Sequence, residues 1–186
     1  MKLNTSKTSF RLTTMGMLAA LSVVLVMLVR FPLFPAAPFL MYDMADIPVL
    51  IGGMLLGPVE GLGILLVVSV IQAFLLSPDG WVGLVMHFCA SGALVLLSSL
   101  IYRAKPRAFN MVAGLLAGSV AMTAIMVPLN LLLTVHVYGQ PMEVVTAMIW
   151  PVIVPFNLIK SLINSAATFV ISMPIGYYFR RTAHSM

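Results

Sequence analysis

A long apolar segment between Glu143 and Arg180 contains a single charged residue, Lys160. An ionisable side chain in the middle of a membrane-spanning helix costs about 2.5 kcal/mol or more on insertion scales. Such a group is tolerated when it faces the interior of a helix bundle or a polar cavity instead of lipid. The segment therefore predicts a membrane helix whose lysine is buried inside the protein.

Two asparagines lie on the same predicted helix as this lysine. Asn157, Lys160 and Asn164 are spaced i, i+3, i+7, which at ~100° per residue places them within roughly 60° of one another. Two amides and one ammonium group on a single stripe predict a buried binding site. Asn130, in the preceding apolar segment, either adds to that site or forms an interhelical hydrogen bond worth about 0.6 kcal/mol.

Composition supports the membrane assignment and predicts an all-α bundle. The chain is 61% hydrophobic and 8% charged, whereas soluble domains contain about 25% charged residues. Apolar runs bounded by charge, Pro or Gly predict six spans in one domain, residues 1–186. They cover about residues 12–29, 45–56, 59–76, 81–102, 109–135 and 148–179. The second is short for a crossing that needs ~20 residues, and Pro151 and Pro155 are expected to bend the start of the sixth.

A proline-rich connector, residues 31–43, follows the first span. Its prolines recur at every third position, which excludes a helix and favours an extended loop. Phe39, Leu40 and Tyr42 are candidate contacts for a flat apolar ligand, although a loop that only packs across the helix ends would contain them as well. Asp46 precedes the short second span and is predicted to be its N-cap.

The basic residues predict the orientation in the membrane. With a cytoplasmic N-terminus, six spans return the C-terminus to the cytoplasm, and eight of the ten basic residues lie inside, as the positive-inside rule requires. These eight are Lys2, Lys7, Arg11, Arg103, Lys105, Arg107, Arg180 and Arg181. Arg30 is the clear basic exception on the outer side. The first apolar run is longer than the 7–15 residues of a signal-peptide core, so we expect it to be retained in a multi-pass protein of a prokaryotic plasma membrane.

No catalytic site is expected. The string Cys89-Ala90-Ser91-Gly92 is similar to the serine motif of rhomboid proteases, but His87 lies on the same predicted helix as Ser91, whereas rhomboids take their base from a later span. The sequence contains neither a P-loop nor a metal-ligand spacing. We therefore expect no enzyme activity, no metal and no resident cofactor. A small binding protein without an energy source is expected to need partner subunits.

Small residues recur on the first span at Gly16 and Ala20, spaced i, i+4. Stripes of this kind let membrane helices approach closely. The neighbour is either another helix of this chain or a separate membrane protein, and the pattern alone fits both.

Taken together, these residues resemble the substrate-binding S components of energy-coupling factor (ECF) transporters, and more closely the riboflavin-specific S components. The resemblance extends over nearly the whole chain. It rests on the strings Tyr42-Asp43-Met44-Ala45-Asp46-Ile47-Pro48, Gly57-Pro58-Val59-Glu60-Gly61, Asn130 with Tyr138-Gly139, and Pro155-Phe156-Asn157-Leu158-Ile159-Lys160.

The resemblance implies that Asn130, Asn157 and Lys160 hydrogen-bond a flavin, and Asn164 is added because it lies on the same helix face. Riboflavin would be the transported substrate. An S component for another vitamin or for flavin mononucleotide is the first alternative. A structural or assembly protein without a ligand, whose polar stripe only joins helices, is the second.

The resemblance also implies partner subunits. Gly16 and Ala20 would dock on a transmembrane T component. Two ATPase subunits would supply the energy, in keeping with the missing P-loop. Nucleic acid is not an expected partner, because the basic residues lie at span ends and do not form one patch.

Overall fold

The computed structural model describes residues 5–35 and 37–183, with side-chain burial for residues 8–35 and 37–172. Within these residues the chain is mainly helical, which confirms the predicted all-α bundle. The helices are α1 Thr5–Leu28, α2 Asp46–Leu55, α3 Pro58–Ile71, α4 Gly80–Ala104, α5 Ala108–Leu129, α6 Met142–Met148 and α7 Val154–Ala183. Two short strands, β1 Arg30–Pro32 and β2 Met41–Asp43, lie between α1 and α2.

Several helices continue into π-helical turns. The turn Gln72–Leu76 follows α3, Asn130–Thr134 follows α5, and Ile149–Ile153 joins α6 to α7. Prolines accompany two of these turns, Pro128 within α5 and Pro151 in the last turn. Because proline lacks the N–H that the preceding turn needs, it weakens the regular α-helical pattern at these points.

Five of the described helical segments are long and apolar enough to cross a membrane. They are Thr8–Leu28, Pro58–Leu76, Gly80–Ala104, Ala108–Thr134 and Met142–Ser172. The last begins before residue 148, the predicted start, because Glu143 is accommodated in the first turn of α6, where the helix dipole favours a carboxylate. Helix α2 has ten residues and is therefore ~15 Å long, about half of a bilayer core. The prediction of a short second span is confirmed.

The bundle has two chemically different ends. The hairpin end carries β1, β2 and the loops that contain Asp79 and Tyr138, whose hydroxyl donates to the Asp79 carbonyl at 3.5 Å. The basic end carries Arg11 and Arg103, which donate to the carbonyls at the end of α2, Leu56 O at 3.0 Å and Leu55 O at 3.2 Å.

The predicted inner cations that the structure describes, Arg11 and residues 103–107, lie at or next to this basic end. That grouping is what the predicted orientation requires. The side chains of Lys2, Lys7, Arg180 and Arg181 lie outside the described residues.

The proline-rich connector is non-helical, as predicted, and forms an antiparallel hairpin. Arg30 pairs with Asp43 and Phe31 with Tyr42. Strands of three residues leave too short an alternating pattern to be recognised in sequence, so the pairing was not predicted. Aromatic contacts between Phe31 and Tyr42, with ring centroids 5.3 Å apart, and between Phe34 and Phe156, at 6.4 Å, pack the hairpin together and against α7.

Direct contacts between helix backbones occur towards the basic end. A Cβ added at Gly118 of α5 would lie 2.7 Å from the Leu94 carbonyl of α4, and one added at Gly61 of α3 would lie 2.7 Å from the Gly53 Cα of α2. Backbones this close leave no room for side chains between the helices. The turn between α2 and α3 follows the predicted Gly57-Pro58 signal, with Gly57 at φ 144° and Pro58 at the first helical position.

Candidate ligand-binding site

A cavity of about 650 Å³ lies at the hairpin end of the bundle. Small-molecule sites typically measure ~300–1,000 Å³, so this cavity has room for a ligand with several rings or a ring and a chain. Each of the three π-helical turns contributes a lining side chain, Gln72, Asn130 and Ile153. The interruptions in the helices therefore coincide with the widening of the bundle, as is frequent at functional sites.

The wall of the cavity is mainly apolar. Met122, Met126, Ile153 and Phe156 line it from α5, the last π turn and α7. Flexible methionines and an aromatic ring suit a flat apolar ligand, because they can pack on both of its faces.

Two of the three connector residues that we predicted as ligand contacts line this cavity. Phe39 and Leu40 belong to its wall, and Phe39 is 63% exposed. A large exposed phenylalanine beside an open cavity has apolar surface available to cover a ligand.

Asn130, Asn157 and Lys160 come from two helices and line the same cavity. Asn130 Nδ2 donates to the Met126 carbonyl and Asn157 Nδ2 to the Ile153 carbonyl, both at 2.8 Å. Each amide is thus fixed to its own helix. Within the described residues Asn157 Oδ1 accepts no hydrogen bond, which leaves it as an acceptor for a ligand donor.

Lys160 has a partner that sequence reasoning missed. Its Nζ lies 2.8 Å from Asp43 Oδ2, and both side chains are buried. Asp43 also accepts from Gln72 Nε2 at 3.1 Å and from the Ala45 backbone N–H at 3.0 Å. The lysine is therefore neutralised within the protein, and the hairpin, the π-helical turn after α3 and α7 meet at one carboxylate. An ammonium has three N–H donors, so Lys160 retains donors for a ligand.

Tyr42 and Asn164, both predicted as ligand contacts, do not line the cavity and instead bind each other. The Tyr42 hydroxyl donates to Asn164 Oδ1 at 3.1 Å, and Asn164 Nδ2 donates to the Asp43 carbonyl at 3.1 Å. Burial, followed by the negative charge of Asp43, raises the pKa of Tyr42, so the phenol stays a donor. This pair joins the hairpin to α7 behind the cavity wall.

The prediction that Asp46 caps α2 is wrong. Asp46 is the first residue of α2, and the N-cap position is Ala45, which forms no capping side-chain bond. The Asp43 carboxylate instead accepts the Ala45 N–H, as an Asx-type turn does. Asp46 is fully buried and accepts from Asn164 Nδ2 at 3.2 Å.

Further polar residues of the cavity wall were not predicted. Ser69 and Gln72 on the α3 side and His87 on α4 line the cavity. Ser69 Oγ and His87 Nδ1 are 2.8 Å apart, and His87 Nε2 lies 3.6 Å from Asp46 Oδ1. Gln72 in the apolar third span and His87 in the fourth could have been recognised from sequence as candidate cavity residues, because a polar side chain is costly in lipid.

Arg30, the exception to the positive-inside rule, also lines the cavity. Its Nη1 donates to the Leu76 carbonyl, which ties β1 to the end of the α3 span. Among the described residues no carboxylate lies within ion-pair distance of Arg30, and its buried Nε has no hydrogen-bond partner.

The predicted docking residues lie on the outer surface of α1. Gly16 and Ala20 are exposed, whereas Ala19 and Ser22 face the bundle. A Cβ added at Gly16 would meet no atom of this chain within 4 Å. The small-residue stripe is therefore not used for packing inside the described part of the chain.

Comparisons with known proteins agree with this architecture. A family model described as ECF transporter, substrate-specific component, matches residues 10–172. A protein named riboflavin transporter RibU from Staphylococcus aureus is 28% identical over 177 residues, which cover 92% of this chain and 93% of that protein. Riboflavin transporter RibU from Streptococcus thermophilus is 31% identical over 149 residues, 75% of this chain and 71% of that protein.

A solved structure described as the S component of a bacterial ECF transporter has the same fold. It superposes with a TM-score of 0.80 at 27% sequence identity, covering 92% of this chain and 98% of the other. Together with the spanning helices, these matches confirm the resemblance seen in the sequence. The chain is a multi-pass cell-membrane protein and belongs to the substrate-specific (S) components of ECF transporters, a family of transporter subunits.

Proposed function

We propose that this S component binds riboflavin in the cavity at the hairpin end and supplies it to an ECF transporter for uptake. The observation that carries the proposal is the cavity of about 650 Å³, with apolar walls and the amides of Asn130 and Asn157. The relatives named riboflavin transporters supply the identity of the ligand.

The chemistry of the cavity suits a flavin. The isoalloxazine ring is flat and largely apolar, which matches Phe39, Met126 and Phe156. The pyrimidine edge of the ring carries carbonyl acceptors and an N–H donor. The remaining N–H groups of Lys160 would donate to a carbonyl, and Asn157 Oδ1 would accept from the ring N–H.

The part of the cavity beside Lys160 favours an uncharged group. Lys160 is paired with Asp43 at 2.8 Å, so their charges cancel and Lys160 does not act as a free cation for a phosphate. Placing a dianion beside a neutralised pair would leave it uncompensated in a region of low dielectric, which is costly. The ring therefore occupies this part of the cavity in our proposal.

Partner subunits are part of the proposal. The sequence contains no P-loop, so ATP hydrolysis would come from two ATPase subunits through a transmembrane T component. The exposed Gly16 and Ala20 would form the contact with the T component, because small residues let two membrane helices come close.

The binding test uses the purified chain in detergent. Flavin absorbance reports co-purified ligand, and after its removal quenching of riboflavin fluorescence gives the dissociation constant. We expect riboflavin to bind to the wild type and Asn157→Leu to weaken binding roughly 10- to 100-fold, the equivalent of ~1–3 kcal/mol for a lost buried hydrogen bond. Asn110→Leu, at the start of α5 and outside the cavity, is the matched control and should bind normally.

Two outcomes contradict the proposal. A wild type that binds no flavin would instead favour another vitamin or a purely structural role. A wild type that binds riboflavin equally well with Asn157→Leu would place the ligand elsewhere.

The docking test separates binding from transport. Gly16→Leu and Ala20→Leu should leave riboflavin binding by the isolated chain unchanged and strongly reduce uptake by cells that contain the complete transporter. Val24→Leu, an exposed substitution on the same helix, is the control. Normal uptake by both stripe variants would show that α1 does not dock through this stripe.

A further inference from the structure

A buried carboxylate of α2 lies next to the cavity wall. Asp46 is fully buried and does not line the cavity. Its Oδ2 accepts from Asn164 Nδ2 at 3.2 Å, and its Oδ1 accepts no hydrogen bond from the described residues. His87 Nε2 lies 3.6 Å from this Oδ1 and is itself buried without a hydrogen-bond partner among these residues. Two buried polar atoms that face each other in this way call for an explanation.

The charges around Asp46 balance when its pair with His87 holds a proton. Asp43 and Asp46 are two buried carboxylates, and the buried Lys160 pairs with Asp43 at 2.8 Å. Without a proton on the pair of His87 and Asp46, one carboxylate remains uncompensated in the interior, which is costly.

The other ionisable side chains around the cavity do not supply the missing positive charge. Arg30 of the hairpin donates to the Leu76 carbonyl, and among the described residues no carboxylate lies within ion-pair distance of it. Helices α5 and α6 contribute uncharged side chains to the lining. The remaining ionisable groups, none of them a cation, are Tyr42, which lies behind the wall, and the lining residues Asp79 and Tyr138.

Ser69 connects this pair to the cavity. Its Oγ lies 2.8 Å from His87 Nδ1, and both residues line the cavity. When His87 is neutral and its Nε2–H faces Asp46, Nδ1 is an acceptor and the Ser69 hydroxyl donates to it. When the ring takes up a second proton, Nδ1–H donates to Ser69 Oγ, and the hydroxyl hydrogen becomes free for an acceptor in the cavity. Protonation at Nδ1 therefore reverses this hydrogen bond.

We propose that the pair of His87 and Asp46 binds a proton that strengthens ligand binding, and that both are positioning residues for the Ser69 hydroxyl. The inference rests on the proposed flavin binding, because the carbonyls and hydroxyls of a flavin are the acceptors for the freed hydroxyl. Histidine changes charge between about pH 5 and 8, so the affinity falls as the pH rises through this range. By reciprocity, ligand binding takes up protons from the solution.

The experiment measures the dissociation constant of riboflavin by fluorescence quenching of the purified chain in detergent, from about pH 5 to pH 8. Riboflavin itself does not change its protonation in this range. We expect the wild-type affinity to fall roughly 3- to 10-fold as the pH rises, as for one neutral hydrogen bond. Titration calorimetry in two buffers with different ionisation enthalpies should show proton uptake on binding.

Three variants test the path from the proton to the cavity. His87→Gln and Ser69→Ala should each bind riboflavin with the weaker, high-pH affinity of the wild type at every pH and take up no proton. Asp46→Asn should shift the pH profile to lower pH, because the carboxylate that favours the proton is lost. His136→Gln is the matched control and should keep the wild-type profile, since His136 is exposed and does not line the cavity.

The contrary outcomes are distinct. A merely structural role of His87 and Ser69 would weaken riboflavin by the same factor at every pH and leave the pH dependence in place, which would overturn the proposal. A wild type with constant affinity and no proton uptake overturns the proton linkage and leaves the proposed function standing. A wild type that binds no riboflavin at any pH overturns both.

Discussion

The hairpin end and the basic end of this bundle are held together by different forces. At the hairpin end the buried pair of Lys160 and Asp43 joins segments that lie far apart in sequence, beside a large cavity. Towards the basic end, glycines such as Gly118 bring the backbones of neighbouring helices into direct contact. A buried ion pair thus borders the cavity at one end, whereas direct contact between helices packs the bundle towards the other.

The largest effect is expected from Lys160→Met at the hairpin end. It should lower the free energy of unfolding by about 3–5 kcal/mol, because Asp43 is left as an uncompensated buried charge. Denaturant unfolding in detergent, followed by tryptophan fluorescence, measures this. The double variant Lys160→Met with Asp43→Asn should regain most of the loss, since replacing both members of a buried pair is often nearly neutral. A double variant as unstable as the single one would show that the ion pair is not what holds this end.

Gly118→Ala tests the close packing of α4 against α5. The added Cβ would lie 2.7 Å from the Leu94 carbonyl, so α4 and α5 have to separate. We expect a loss of about 1–3 kcal/mol, typical of an overpacked core, in the same unfolding assay. Gly16→Ala is the control, because no atom of the chain lies within 4 Å of its new Cβ. Equal stabilities of the two variants would contradict the close-packing account.

Tyr42→Phe tests one neutral hydrogen bond at the hairpin end. Removing the hydroxyl leaves Asn164 Oδ1 without its donor at 3.1 Å, and we expect a loss of about 0.5–1.5 kcal/mol. Tyr102→Phe, near the basic end, is the matched control, since that hydroxyl has no hydrogen-bond partner among the described residues. Riboflavin affinity should change little in Tyr42→Phe, because Tyr42 does not line the cavity. A large change in affinity would indicate that Tyr42 contacts the ligand.

The smallest effect is expected from Arg11→Gln at the basic end. Arg11 pairs with Glu60, and their side chains are 51% and 22% exposed. Such pairs contribute about 0.2–1 kcal/mol, and salt screens them. The unfolding free energies of wild type and variant should therefore converge at high ionic strength. If Arg11→Gln lowered the free energy of unfolding as much as Lys160→Met, the exposed and the buried ion pair would contribute equally, and the two ends would not differ in this respect.

Much of the fold could be predicted from the sequence because membrane helices are encoded locally. The five long spans and the short second helix follow from continuous apolar runs and from the Gly57-Pro58 turn. The errors lie at boundaries with weak local signals. The start of the last span was placed at residue 148 and not at Met142, and the paired strands of the connector were read as an extended loop.

The lining of the cavity was predicted in part, for a related reason. Asn157 and Lys160 share a helix face by spacing alone, and Asn130 stood out as an amide in lipid-like sequence. Asn164 lies on the same face but does not line the cavity, because its amide is hydrogen-bonded to Tyr42 and to the Asp43 carbonyl. Helical spacing predicts which residues share a face. It carries no information on which hydrogen-bond partners the neighbouring segment provides.

By itself the sequence determined a membrane bundle with an inward polar stripe, since hydropathy and helical periodicity act over a few residues. The tertiary structure decided the partner of that stripe. Asp43 lies 117 positions before Lys160, and no local pattern relates the two. Only the packing of the hairpin into the bundle brings that carboxylate to the lysine and neutralises the buried charge.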